Sequence, residues 1–187
     1  MKNKVVKLAL ILFLISAVVA GILGGVYIVT KEPIEQNAAK TTAEAYAAVM
    51  PDGVSIDPLQ AQEIGEAVTV NGASITLLKC TAAEDGKTYV VEAVTSGSQG
   101  KVTTAVGVDK ESGTCTGIAI VESSETSGLG AEAAKPAFSD QLIGADSSSC
   151  FITKEGGTVN AISGATITSK AVTRSVSAAI DYVMNMG

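Results

Sequence analysis

The chain has no histidine and no tryptophan. Without histidine there can be no Ser-His-Asp triad, no histidine general base and no histidine-ligated zinc or haem. Cysteine is scarce. Cys80, Cys115 and Cys150 stand far apart, with no Cys-x-x-Cys spacing. The chain alone therefore does not supply an iron–sulfur or zinc site. The thiols are open to two readings, one disulfide with an unpaired thiol or three buried apolar cysteines. Positive charge is also short. Beyond residue 30 there are ten Lys/Arg against nineteen Asp/Glu, a net of −9. An acidic domain without a basic patch is a poor partner for nucleic acid and has no attraction for anionic lipid headgroups.

Charge is missing altogether from residues 8–30, a run of 23. As a helix this run spans roughly 34 Å, enough for a hydrocarbon core of about 30 Å. The apolar region of a cleavable signal peptide is shorter, about 7–15 residues, so a retained membrane anchor is expected. Lys2, Lys4 and Lys7 precede the run, and Lys31-Glu32 nearly cancel after it. The positive-inside bias puts the N-terminus in the cytoplasm and the rest of the chain outside, as a single-pass membrane protein. Ala17, Gly21 and Gly25, with Ser16, Ala20 and Gly24, form two small-residue stripes on which other membrane helices could pack.

Residues 33–50 read as a stalk helix with Pro33 in its first turn and a weak face of Ile34, Ala38, Thr41, Ala45, Ala48 and Val49, ended by Pro51-Asp52-Gly53. A short helix is expected at residues 58–64. Four β-rich runs follow at 74–82, 88–95, 101–109 and 114–122, separated by turn residues. Such spacing predicts an antiparallel meander. A helix over 131–143, interrupted by Pro136, should turn Phe138, Leu142 and Ile143 inward. Residues 151–154 and 158–162 read as a last hairpin. The final segment is amphipathic, with Ala171, Val172, Val176, Ala179, Ile180, Val183 and Met184 at helical spacing and Thr168 or Ser169 as its N-cap. The expected fold is α+β: one transmembrane helix, then an antiparallel sheet with flanking helices. The expected division is 1–30 anchor, 31–67 stalk and linker, 68–187 extracytoplasmic domain.

Just before that last helix lies Ser163-Gly164-Ala165-Thr166-Ile167-Thr168-Ser169. Gly164 and Ala165 leave the backbone open to close approach. Ser163, Thr166 and Thr168 put three hydroxyls within six residues. A helix start offers free N–H groups and a positive dipole end, which favour a phosphate. Taken alone, these residues also suit a plain loop capping a terminal helix. A second loop, Glu125-Thr126-Ser127-Gly128-Leu129-Gly130, reads as a plain turn on its bare pattern, although its glycines would also let backbone approach a flat ring with Leu129 on its face.

Ser-Gly-Ala-Thr-Ile-Thr-Ser-Lys-Ala-Val resembles the flavinylation motif of the FMN-binding domain family. That family includes the RnfG proteins of Rnf-type electron transport complexes and a flavin-carrying component of sodium-pumping NADH:quinone reductases. Glu125-Thr126-Ser127-Gly128-Leu129-Gly130 is similar to its Glu-Thr-Pro-Gly-Leu-Gly, with serine in place of proline. Val106-Gly107-Val108-Asp109 resembles its Val-Gly-Ile-Asp strand end. Gly97 and Gly100 match its Gly-Tyr-x-Gly turn, with Ser98 where tyrosine is usual, and Ser123 stands where a histidine is frequent. The resemblance implies FMN joined through its phosphate to Thr166 by a separate flavin transferase that uses FAD. It implies a cofactor-binding set of Ser163, Gly164, Ala165, Thr166, Thr168, Glu125, Thr126, Gly128, Leu129 and Gly130, with no catalytic or metal-binding residue. The implied role is an electron carrier in a membrane complex, not the site of NAD or ferredoxin chemistry. An Rnf-type ferredoxin:NAD oxidoreductase that pumps Na⁺ or H⁺, with its other membrane subunits as partners, is the expected setting. The alternatives are a flavin subunit of a quinone reductase or other respiratory reductase, and a non-redox anchored scaffold or solute-binding protein.

Overall fold

The computed structural model describes residues 2–125 and 132–186. It separates into two compact units, Met1–Lys40 and Thr41–Gly187. The charge-free run lies in the first, within the part of helix α1 (Lys2–Ala48) that precedes Thr41. An 18-residue window in it has a mean hydropathy of 2.7 with no residue buried. Phe13, Ile22 and Val29 point outward. Among the described residues this is one helix long and apolar enough to cross a membrane. Pro33 lies inside α1, not in the first turn of a separate helix. A helix can pass a proline by giving up one amide donation to the carbonyl four residues back.

The second unit is built on a five-stranded antiparallel sheet. Its strands are β1 (Gln62–Val70), β2 (Ala73–Ala82), β3 (Thr88–Ser96), β4 (Lys101–Asp109) and β5 (Thr114–Ser123), in that spatial order. The four runs read from the sequence are β2 to β5. The predicted helix over 58–64 is instead a single 3-10 turn, Pro58–Gln60, capped by Asp57, followed at once by β1. That strand is hard to read because it is an exposed edge. Gly65, at φ +65°, sits in a register shift between Glu63 and Glu66 that breaks the alternation.

Both faces of the sheet are covered. On one, α3 (Thr166–Asn185) lays Val172, Val176, Ala179, Ile180 and Val183 against Ile75, Leu77, Val91, Val106 and Val108. On the other, the end of α1 places Ala45, Tyr46 and Val49 over Val90 and Ala105. Tyr46, fully buried, is the contact the weak apolar face did not show. Gly107 and Gly117 form the notch beneath Val49. A Cβ on Gly107 would collide with Thr116 Oγ1 and the Val49 carbonyl. Thr116 Oγ1 donates to that carbonyl at 2.7 Å.

Three further expectations are corrected. The interruption expected at Pro136 is present, since Pro136 forces Lys135 into extended geometry (φ −78°, ψ 145°). A short helix α2 (Pro136–Ser139) and a 3-10 turn (Asp140–Leu142) follow. Phe138 and Leu142 are buried as expected, but Ile143 is 56% exposed. The last hairpin is absent. The chain turns through Thr153–Glu155 and Gly156-Gly157, and only Ile152 and Val159 meet, in parallel. Finally, α3 starts at Thr166 with Ala165 as its N-cap, ahead of Thr168 and Ser169. Those two side chains are wholly buried under the first turn.

All three cysteines are free and buried. Burial pushes the Cys80 thiol up to about 11 and those of Cys115 and Cys150 up to about 12. A raised thiol value means less thiolate, the reactive form, at mild pH. Iodoacetamide at pH 8 should therefore leave the native chain essentially unlabelled and modify all three sites after denaturation, read by intact mass. Gly107→Val should cost about 1–3 kcal/mol by overpacking. Circular dichroism should then show Tm lower by about 4–10 °C.

Candidate functional site

The local sequence sets the geometry around Thr166. The Ala165 N–H donates to the Ile162 carbonyl at 3.0 Å, closing a turn over Ser163 and Gly164. Gly164 takes φ +76°, which glycine adopts without strain, and nothing lies within 4 Å of where its Cβ would be. Ser163 and Gly164 are exposed, Ala165 is buried and Thr166 is half-buried. Ser169 holds the turn from below. Its Oγ donates to the Ala165 carbonyl and accepts from the Ile162 N–H, both at 2.9 Å.

This arrangement leaves donors unused. An α-helix has no internal partners for its first N–H groups. The first intrahelical bond here is Ser169 N–H to Ala165 O at 2.9 Å, and Ala165 provides no side-chain cap. The N–H groups of Thr166, Ile167 and Thr168 are thus uncapped at the positive end of a 20-residue helix. Thr168 Oγ1 is fully buried beside them with no hydrogen-bond partner. Among the described residues, none bonds the Thr166 hydroxyl. A phosphate ester on that oxygen matches the set, since it brings acceptors and negative charge to a group of unpaired donors.

The second predicted loop is placed only in part. Thr126, Gly128, Leu129 and Gly130 lie outside the described residues. Of this loop, Glu125 is described. Its carboxylate closes the β3–β4 hairpin, accepting from Ser98 N–H through Oε1 at 2.5 Å and from Gln99 N–H through Oε2 at 3.3 Å. Gly97 and Gly100 have no room for a side chain. A Cβ on Gly97 would strike the Glu125 carboxylate, and one on Gly100 would strike the Ser124 carbonyl. The two motifs read separately in the sequence, Gly97-x-x-Gly100 and Glu125, are thus one joint.

A cleft of about 230 Å³ opens beside the chain entering the turn, with Phe138, Gln141, Asn160 and Ile162 in its walls. Gln141 Oε1 accepts from Asn160 N at 2.8 Å and so ties α2's turn to this segment. Sequence reading missed Gln141 and Asn160, because nothing in the local pattern signals a bond between residues 19 apart. It also missed Glu155 and Arg174, which form a partly buried ion pair between the 153–155 turn and α3. An arginine amid Ala171, Val172 and Val176 was the available sign.

Residues 97–181 match the FMN-binding domain model, and residues 1–49 match that of the RnfG N-terminal region. The G component of the ion-translocating oxidoreductase complex of Methanosarcina acetivorans is 32% identical over 97% of this chain and 95% of its own length. The G component of the Na⁺-translocating ferredoxin:NAD⁺ oxidoreductase complex of Acetobacterium woodii is 34% identical over 97% and 93%. A proton-translocating counterpart from Clostridium ljungdahlii is 37% identical over 51% of this chain and 52% of its own length.

Glu125→Gln retains one acceptor but turns an amide N–H₂ towards a backbone donor, at a cost of about 1 kcal/mol. Hydrogen exchange followed by mass spectrometry should show faster exchange at Ser98 and Gln99, with the α3 amides unchanged.

Proposed function

The chain belongs to the RnfG family of Rnf-type ion-translocating oxidoreductase complexes, and from that premise we propose that it is an electron carrier with FMN bound covalently at Thr166. The observation that carries this reading is the half-buried Thr166 hydroxyl at the start of α3, beside uncapped N–H groups and the orphaned Thr168 Oγ1. FMN supplies the redox chemistry, taking electrons from one partner and passing them to another. The polypeptide supplies attachment, placement and electrostatics.

Attachment needs a nucleophilic oxygen that a second protein can reach. Exposed Ser163 and Gly164 leave one side of Thr166 open to a flavin transferase. Thr166 Oγ1 bonds to the FMN phosphorus of FAD and gives up its proton as AMP departs. The resulting phosphodiester keeps one negative charge. The N–H groups of Thr166, Ile167 and Thr168 would hold its free oxygens, and Thr168 Oγ1 would donate to it. Gly164 and Ala165 keep side chains out of its way. Phe138 and Ile162 offer apolar cover nearby for a ring. Thr126, Gly128, Leu129 and Gly130 are proposed as further flavin contacts on the strength of their motif.

The residues of α1 place the carrier in the membrane as a single-pass protein. By the lysines at its start, the N-terminus is cytoplasmic and the domain extracytoplasmic. The carrier works with the other membrane subunits of the complex, in which electron transfer between ferredoxin and NAD⁺ is coupled to pumping Na⁺ or H⁺. Thr166→Ala should abolish covalent flavin on the chain co-expressed with flavin transferase, seen as loss of in-gel fluorescence and of the flavin mass. Covalent flavin retained by this variant would exclude Thr166 as the attachment point.

A further inference from the structure

Below the Thr166 hydroxyl lies a charge cluster that the proposed function does not use. Lys170 follows Thr166 by four residues and Arg174 follows Lys170 by four, so the three share one face of α3. Glu155, at the end of the 153–155 turn, takes both cations on one oxygen. Arg174 Nη2 lies at 2.5 Å and Lys170 Nζ at 3.2 Å from its Oε1. The other carboxylate oxygen and Arg174 Nε are buried without partners. The side chains are 13% exposed for Glu155, 17% for Arg174 and 34% for Lys170. Two positive charges thus answer one negative charge, in a place where water screens them weakly.

The surplus belongs to lysine. Arg174 makes the shorter contact and is the more enclosed of the two. Lys170 is the longer contact, with a flexible stem. Helical side chains lean back towards the N-terminus, and four residues rise about 6 Å, within the reach of an extended lysine. Lys170 can leave Glu155 to Arg174 and bring Nζ level with Thr166 Oγ1. We infer that Lys170 is the counter-ion of the phosphodiester at Thr166, supplying the single positive charge that the linkage requires. This inference rests on the covalent-flavin reading. It adds a mobile charge to the fixed peptide donors of the helix start.

The test uses the full-length chain in detergent, co-expressed with flavin transferase, as wild type, Lys170→Met and Lys170→Arg. Phosphorus NMR of the loaded protein reads the linkage directly. Lys170→Met should move the phosphodiester resonance and make it sensitive to added salt, and Lys170→Arg should restore it. An unchanged resonance in Lys170→Met overturns the inference while leaving covalent flavin intact. A wild type with no flavin mass overturns both. Thermal unfolding supplies a second arm, in which Lys170→Met is compared between a chain that cannot be loaded and the loaded chain. In a Thr166→Ala background, Lys170→Met should leave Tm unchanged or raise it, since it removes a surplus charge. In the loaded chain the same change should lower Tm by about 4 °C or more. An equal fall in both backgrounds would mark a plain structural ion pair and overturn the counter-ion role.

Discussion

A helix that begins at alanine leaves its first peptide donors unanswered, because alanine has no side-chain oxygen to turn back on them. In this protein the start of α3 is fixed by what lies on either side. Downstream, Val172, Val176 and Ile180 must face the sheet, which sets the rotation of the helix. Upstream, the Ile162–Ala165 turn and the Ser169 hydroxyl fix the point of entry. The donors of Thr166, Ile167 and Thr168 then have one direction in which to point. The turn residues are small and leave that side open. A ready place for negative charge is therefore a by-product of how the last helix docks, and the Thr166 hydroxyl sits at its rim.

Much of the fold could be read from the chain because it is a meander. Each of β2 to β5 is a β-rich run that pairs with its sequence neighbour, and the turns between them carry their usual residues. What escaped notice has physical causes. β1 has a bulge at Gly65 and an exposed edge, so its pattern looks like a linker. In the 131–143 segment the break at Pro136 is legible, but the apolar spacing puts Ile143 inward, whereas it lies exposed just past the 3-10 turn. The proposed attachment residue was readable only through its resemblance to a family, since Ser-Gly-Ala-Thr alone also describes an ordinary loop. Its supports were not readable. Ser169, Glu155 and Arg174 act through bonds whose partners the local pattern does not name, and Glu125 is a brace for the β3–β4 turn.

Charge distribution gives the domain a second theme. Beyond residue 30 the chain is strongly acidic, yet Lys170 and Arg174 both lie on the face of α3 that carries Thr166. In a protein so poor in cations, two on one carboxylate is a costly use of them if the pair serves structure alone, since partly buried ion pairs contribute little net stability. With Arg174 held by Glu155, Lys170 one turn below the hydroxyl is the cation proposed above for the linkage.

The order of the strands has a consequence for how the domain is made. Every sheet contact joins neighbours in the chain, so hairpins can close one after another as the polypeptide emerges. The last element to arrive is α3, and the bonds from Ser169 to Ile162 and Ala165 exist only once it has settled on the finished sheet. Thr166 is consequently presented in its native shape only by a completed domain. A modifying enzyme that recognises that shape would ignore immature chains, and the label it leaves would certify that assembly had run to its end.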